Sequence, residues 1–277
     1  MLEMGEVAKN RNIEDHLKDG YRIELLNVTY NPSASSDKKV LDNIEINIKP
    51  NQFVAIIGRN AAGKTSILKA ISGELPFKHL TGKVKIQGQI IDQPVNRIID
   101  GVGIVHQSEE VDLIKHLSVA QNIAIRQIFG RGHPEKFFST SQKWARETRE
   151  LLGSIIKFET PKLEDIVKNL SGGQKQMLSV AIAIHFEHKK NPCRLLLLDE
   201  HTSKLDSQNA RKIMELTISE IKKHNITAVM ITHRHQDALE YANRIIIVRG
   251  REKINDIQNT KDISLEQLTL LAEGDNH

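Results

Sequence analysis

The chain has 277 residues, of which 39% are hydrophobic and 27% are charged, and its formal net charge is +4 at pH 7. This composition is typical of a globular protein, and no apolar run reaches the roughly 18 residues that a membrane-spanning helix needs. The single cysteine, Cys193, excludes an internal disulfide framework and a cysteine-based zinc site.

The first part of the chain predicts several strands and one helix. Residues 1–20, which are too polar and too acidic for a signal peptide, are expected to form a loose N-terminal extension. The segments "YRIELLNVTY" and "VLDNIEINIKP" predict strands, and "NPSASSDKK" predicts the loop between them. "QFVAIIG" predicts a buried strand, "KTSILKAISG" a helix closed by Gly73, and "GKVKIQGQII" a further strand pair.

The second part of the chain alternates between helices and strands. Residues 108–168 are polar and predicted to be helical, with a break at "GRGHPE", and a long helix follows at "GGQKQMLSVAIAIHFEHK". The apolar strands "CRLLLLDE", "TAVMITH" and "RIIIVRG" then alternate with the helices "SQNARKIMELTISEIKKHN" and "RHQDALEYAN". Because several strands are apolar throughout, we predict an α/β fold with a parallel sheet covered on both faces.

A phosphate-binding loop is predicted between the strand "QFVAIIG" and the helix that follows it. Residues 58–65 fit the pattern G-x-x-x-x-G-K-[ST] in the strand-to-helix setting that this motif requires. Small residues let backbone N–H groups approach phosphate, and the helix that starts near Gly63 adds its positive end. Lys64 would supply a charge for the β- and γ-phosphates, and the Thr65 hydroxyl a ligand for Mg²⁺. The other residues assigned to this site are Gly58, Asn60 and Ser66.

Two adjacent acidic residues end the apolar strand "RLLLLDE". Burying two neighbouring carboxylates is costly unless a cation or a reaction uses them. Asp199 is therefore a candidate for holding Mg²⁺ through water, and Glu200 is a candidate general base that polarises the attacking water. The alternative is that the strand simply reaches solvent at an acidic turn.

A second glycine-rich turn opens the long helix at "NLSGGQKQM". Its residues Ser171, Gly172, Gly173 and Gln174, preceded by leucine, resemble the signature motif of the ATP-binding cassette (ABC) ATPases. The resemblance implies a head-to-tail dimer in which each ATP lies between the phosphate loop of one copy and the signature of the other. It also implies that hydrolysis requires the closed dimer, so that the nucleotide state is coupled to shape.

Other short motifs follow in the order of the family. The resemblance assigns Tyr30 in "NVTY" to stacking on adenine, Gln107 in "GIVHQ" to Mg²⁺ and the attacking water, and His233 in "MITH" to the γ-phosphate. Asp206 in "SKLD" is assigned to the loop that contacts the partner copy. Without the family, Tyr30 would be interpreted as a packing tyrosine and His233 as a strand-end histidine with no role.

The resemblance covers roughly residues 21–250 and implies a domain organisation. Residues 21–255 would form an ABC-type P-loop NTPase domain with a mixed or parallel sheet, an N-terminal antiparallel β-subdomain and an inserted helical subdomain at about 108–190. Residues 256–277 would form a short tail, which is too short for a regulatory domain.

The chain departs from the family pattern in four places. Ala61 stands where the family usually has glycine, and the loop tolerates alanine if its φ is negative. His201 replaces a common proline after the acidic pair, and Lys-Gln-Met follows the signature in place of Arg-Gln-Arg. About five extra residues in "HFEHKKNPCR" are expected to form a surface loop.

The resemblance predicts the ATP-hydrolysing subunit of an ABC transporter, working in uptake at the cytoplasmic face of the cell membrane. ATP and Mg²⁺ would be its cofactors, and a separate membrane permease, a second copy of the chain and an extracytoplasmic substrate-binding protein its partners. No nucleic-acid partner is expected, because the charges are scattered along the chain. The subgroup resembled most serves putative amino-acid uptake systems of the tryptophan or tyrosine type.

The permease is expected to dock after Gln107. There Val111, Leu113, Ile114 and Leu117 either line a docking groove or belong to the core of the helical subdomain.

Two alternatives to a transporter subunit remain. One is a soluble ABC ATPase such as that of iron–sulfur cluster assembly, whose signature usually ends in glutamate where this chain has Gln174. The other is a non-catalytic nucleotide-binding scaffold, against which the presence of Glu200 and His233 argues.

Overall fold

A computed structural model describes most of the chain. The described residues are 21–33, 39–95, 101–131, 142–156, 160–186 and 193–273. The expected N-terminal extension, the middle of the "NPSASSDKK" loop, most of "GRGHPE" and most of the expected extra surface loop lie outside them.

The described residues form two β-sheets and a set of α-helices. The strands are β1 (Ile23–Tyr30), β2 (Leu41–Ile48), β3 (Phe53–Ile57), β4 (Leu80–Ile86), β5 (Gln89–Ile90), β6 (Val102–Val105), β7 (Leu195–Asp199), β8 (Thr227–Ile231), β9 (Arg244–Arg249) and β10 (Glu252–Ile257). The helices are α1 (Lys64–Ser72), α2 (Glu109–Asp112), α3 (Val119–Arg131), α4 (Gln142–Ile155), α5 (Gly172–His185), α6 (Ser207–His224), α7 (His235–Tyr241) and α8 (Leu265–Glu273).

The smaller of the two sheets is antiparallel and has the strand order β2-β1-β4-β5. Strand β2 buries Ile44, Ile46 and Ile48 and exposes the residues between them. This alternation is what one buried face of an antiparallel sheet requires. The strands predicted in this region are confirmed.

The larger sheet has the order β10-β9-β3-β8-β7-β6. Its five strands from β9 to β6 are parallel, and only β10 at the edge runs antiparallel. Strands β3 and β8 are buried along their whole length. The predicted parallel sheet is therefore confirmed, together with its continuous apolar strands.

The core lies on both faces of the larger sheet. In β3, Val54 and Ile56 pack into the cluster shared with the small sheet and α1, whereas Ala55 and Ile57 pack into the cluster with α5. Successive side chains of a strand point to opposite faces, so one apolar strand serves both clusters. Helix α8 joins the second cluster through Leu268.

The C-terminal region is continuous with the body of the molecule. Strand β10 runs through the domain boundary expected at residue 255 and pairs with β9, and α8 follows it onto the core. The segment expected to form a short tail thus contains a helix that packs against the core. Among the described helices, none combines the length and the hydropathy that a membrane span needs.

Candidate active site

The loop between β3 and α1 is built around the amino group of Lys64. This side chain is only 5% exposed, and its Nζ donates hydrogen bonds to the carbonyl oxygens of Gly58 (2.9 Å) and Arg59 (3.0 Å). Burial lowers the pKa of Lys64, and the nearby carboxylates of Glu200 and Asp199 oppose that shift. The loop therefore fixes a positive charge at the start of α1.

Two glycines of this loop have backbone conformations that other residues rarely adopt. Gly58 has φ 144° and Gly63 has φ 102°. A Cβ on Gly58 would lie 2.1 Å from the carbonyl oxygen of Val248 in the neighbouring strand β9. The close approach of the two backbones thus requires glycine.

Ala61 does not meet the condition set for it in the sequence analysis, a negative φ. Its φ is 61°, in the left-handed region, which costs a residue with a side chain roughly 1–2 kcal/mol. The loop therefore holds a strained alanine at the position where the family usually has glycine.

The phosphate loop and two of the candidate catalytic residues line one cleft of about 620 Å³. Helix α1 starts in this cleft with Gly63 as its N-cap and no side-chain cap, so its first N–H groups are available to an anion. The predicted residues in the cleft lining are Asn60, Gly63, Lys64, Thr65, Ser66, Glu200 and His233.

Glu200 is held between side chains from the two neighbouring strands. Its Oε1 lies 2.7 Å from Nε2 of His233, and its Oε2 accepts a hydrogen bond of 2.8 Å from Nε2 of Gln107. Gln107 follows β6, Glu200 follows β7 and His233 follows β8, and these strands are adjacent in the sheet. The sheet therefore brings together all three residues that were predicted to be catalytic.

Asp199 is the last residue of β7. Burial, followed by the neighbouring charge of Glu200, raises the pKa of the Asp199 carboxyl. A bound cation would oppose this rise. The oxygens of Asp199, Thr65 and Gln107 are the hard ligands that Mg²⁺ prefers, so the residues present fit this ion.

His201 follows Glu200 and is buried, with neither ring nitrogen hydrogen-bonded to the described residues. Burial lowers the pKa of His201 to about 4. The imidazole that replaces the family's proline is therefore neutral at pH 7 and adds no charge beside Glu200.

The signature residues open α5 and do not line the cleft that contains the phosphate loop of the same chain. Ser171 is exposed and caps α5, accepting a hydrogen bond from the backbone N–H of Gln174 (3.2 Å), whose side chain accepts one from the Ser171 N–H (2.9 Å). Gly173 lies close to Asn209 in the first turn of α6, where Asp206 is the N-cap. Neither the signature nor Asp206 is among the described residues that line the cleft.

Tyr30 ends β1 half-buried and packs against the core cluster of the small sheet. Like Gly58, Gln107 and Asp199, it is not among the described residues that line the cleft. Five further residues line the cleft but were not predicted as site residues from the sequence: Pro32, Ser33, Lys39, Val40 and Arg251. The order of the strands brings them there, and no motif marks them.

His106, which precedes Gln107, also escaped the sequence analysis. Its Nδ1 lies 2.6 Å from Oδ1 of Asp112, and its Nε2 lies 3.6 Å from Oε1 of Glu74. The hydrogen bond with Asp112 and the nearby carboxylate of Glu74 raise the pKa of His106 to about 10. The charged imidazole thus anchors the backbone next to Gln107.

Comparison with known proteins agrees with this geometry. Residues 41–203 match the family model described as ABC transporter. The chain belongs to the ABC transporter family. This family membership makes it an ATP-binding, ATP-hydrolysing cassette with a P-loop α/β fold.

Two relatives and one solved structure illustrate the similarity of this ABC cassette. It is 31% identical over 233 residues to a xylose/arabinose import ATP-binding protein of Sulfolobus acidocaldarius, covering 83% of this chain and 86% of that protein. It is 29% identical over 253 residues to a tyrosine transport ATP-binding protein of Clostridioides difficile, covering 90% of this chain and 95% of that protein. An ATP-binding cassette solved as a dimer in a post-hydrolysis state with ADP and Pi superposes with a TM-score of 0.68 and 26% identity, covering 84% of this chain and 97% of that one.

Proposed function

We propose that this chain is the ATPase subunit of an ABC importer and that it energises solute uptake through a separate permease. One observation carries the hydrolytic part of the proposal. Glu200 lies in the same cleft as the phosphate loop, with both of its carboxylate oxygens engaged by Gln107 and His233.

In this proposal Lys64 and the first N–H groups of α1 bind the β- and γ-phosphates, with Gly58, Asn60 and Ser66 forming the rest of the loop. Glu200 accepts the proton of the attacking water, which requires one of its oxygens to exchange its present partner for that water. His233 then keeps the carboxylate oriented and contacts the γ-phosphate. Mg²⁺, held by Thr65, Asp199 and Gln107, would neutralise phosphate charge.

The second half of the ATP site comes from another copy of the chain. Ser171 accepts a hydrogen bond from the backbone of α5, so its hydroxyl hydrogen is still available to a phosphate oxygen. Gly172, Gly173 and Gln174 open α5 and are not among the described residues that line the chain's own cleft. The dimeric state of the similar ADP-bound cassette supports the head-to-tail arrangement.

Uptake is the proposed direction because relatives are named for import of xylose and arabinose and for transport of tyrosine. An importer implies an extracytoplasmic substrate-binding protein as a further partner. The chain would then act at the cytoplasmic face of the membrane. Tyr30 would stack on adenine, and Asp206 would contact the second copy.

The permease is proposed to dock beside α2, within a helical subdomain at about residues 108–190. The four apolar candidates differ in their exposure to solvent. Leu113 is 4% exposed and belongs to the core, whereas Val111 and Ile114 are 60% and 49% exposed. Leu117 is half-buried. The two exposed side chains are therefore the proposed contacts of a permease helix.

Replacing Glu200 with glutamine tests the proposed function. The amide keeps the size of the side chain but cannot take the proton, so ATP turnover should fall on the order of 10²-fold or more. Nucleotide affinity should be preserved, and light scattering should detect an ATP-dependent dimer. Glu215→Gln, a change at an exposed glutamate on α6, is the matched control and should behave as the native chain does. Native turnover in Glu200→Gln would contradict the assignment of the base.

A further inference from the structure

We infer that His185, Glu220 and His224 form a binding site for a transition-metal dication, with Zn²⁺ as the best match. The site lies at the C-terminal ends of α5 and α6. It involves none of the residues assigned to ATP, Mg²⁺ or the permease.

The three side chains meet around one carboxylate oxygen. Oε2 of Glu220 lies 2.7 Å from Nε2 of His185 and 3.3 Å from Nε2 of His224. All three donor atoms lie within 4.8 Å of one another. Zinc bound to nitrogen and oxygen at about 2.0–2.2 Å separates its tetrahedral ligands by roughly 3.3 Å, so His185 would move back from Glu220 and the two imidazole nitrogens would adjust to that spacing.

The fold fixes this arrangement. His185 is the last residue of α5 and His224 is the last residue of α6. Glu220 precedes His224 by four residues, which places both side chains on one face of α6. The two helices also meet at their first turns, where Gly173 contacts Asn209, so they run side by side and their negative C-terminal ends converge. Such an end attracts a cation.

One donor atom at this site is buried without a well-aligned hydrogen bond. Nε2 of His224 lies 3.3 Å from Oε2 of Glu220, but no described residue forms a hydrogen bond of good geometry with it. A metal ion would satisfy this nitrogen and the carboxylate together.

The donor set indicates the class of metal. Two imidazoles and one carboxylate are a common zinc set with an open fourth position, whereas Mg²⁺ and Ca²⁺ prefer oxygen ligands. Two positive groups compete with the metal. Nζ of Lys223 lies 3.7 Å from Oε1 of Glu220, and the guanidinium of Arg194 donates to the carbonyl oxygen of His224 (3.3 Å).

The experiment titrates the full-length, nucleotide-free chain with Zn²⁺, and the variant His233→Asn is titrated beside it so that zinc held by Glu200 and His233 in the cleft is recognised. We expect one Zn²⁺ per chain with a Kd of about 10 µM or tighter, and a rise in Tm because metal binds the folded state. Co²⁺ in place of Zn²⁺ should give a visible absorption band from imidazole and carboxylate ligands.

Variants locate the binding. Glu220→Gln and His224→Asn should each weaken Zn²⁺ affinity at least tenfold and abolish the rise in Tm, whereas the control His116→Asn, at an exposed histidine elsewhere, should retain both. Lys223→Gln should tighten binding on the order of threefold, because it removes a competing charge. Binding weaker than about 100 µM in the native chain, or equal binding in all variants, would overturn the inference.

Discussion

At the scale of single residues, Ala61 is the most informative position in the phosphate loop. Gly58 and Gly63 adopt positive φ angles without steric strain because they have no Cβ, but Ala61 adopts φ 61° with a Cβ present. The strained backbone at Ala61 therefore lowers the free energy of unfolding, and the loop keeps its shape around Lys64 despite this cost. The sequence identifies the loop, yet it does not give the sign of φ at a position where both alanine and glycine occur.

Replacing Ala61 with glycine should stabilise the protein. The substitution removes roughly 1–2 kcal/mol of strain and loses about 0.4–1 kcal/mol through the more flexible unfolded chain, so a net gain of about 0.5–1 kcal/mol is expected in urea unfolding. The matched control is Ala62→Gly, because Ala62 is buried and its φ is not positive. Ala62→Gly should destabilise, and an equal loss in both variants would disprove the strain.

At the scale of elements, an ion pair between a buried arginine and a half-buried aspartate joins β10 to β9. The guanidinium of Arg244 in β9 donates to both carboxylate oxygens of Asp256 in β10, at 2.8 and 2.7 Å. It also donates to the carbonyl oxygen of Asn47 in β2, at 2.6 Å. One buried arginine therefore joins the edge of the large sheet to the small sheet.

Replacing Asp256 with alanine should cost about 3 kcal/mol of unfolding free energy, because it leaves the buried Arg244 without its charge partner. Urea unfolding measures the loss. Glu252→Ala, at an exposed position of the same strand, should cost less than about 0.5 kcal/mol. A similar small cost for Asp256→Ala would show that the pair contributes little.

Most elements follow from the sequence because their signals are local. Apolar runs such as "LLLL" give the central strands, and the glycine-lysine pair gives the start of α1. Strand β10 was missed because its alternation is weak, and because the turn before it, Gly250-Arg251 with φ 60° and 78°, is not a common hairpin pair.

Functional residues, like the elements, were predictable from the sequence only where a local motif marks them. Glu200, His233 and Lys64 follow motifs that the chain itself displays. The cluster of His185 with Glu220 and His224 joins two helices that are separated along the sequence, so no local pattern predicts it.

At the scale of the whole molecule, the proposed ATP site combines the cleft of one copy with the signature of a second copy. Ser171→Arg should therefore abolish ATP turnover by blocking the partner's phosphates, while ATP binding to the isolated chain should change less than threefold. Turnover and equilibrium binding are measured on the same preparation.

The matched control for this prediction is Ser118→Arg. Ser118 caps α3 through the same reciprocal bonds with Gln121 that Ser171 makes with Gln174, so both variants lose about 1 kcal/mol of helix capping. Only Ser171→Arg should stop turnover. Loss of ATP binding in the Ser171→Arg monomer would contradict the two-copy site.

The adjacency of β6, β7 and β8 has a practical consequence for engineering. Gln107, Glu200 and His233 each follow one of these strands, and main-chain bonding holds neighbouring strands about 4.8 Å apart whatever joins them. Circular permutation, or the insertion of a reporter domain into the long connection between β6 and β7, should therefore leave the spacing of the three groups intact.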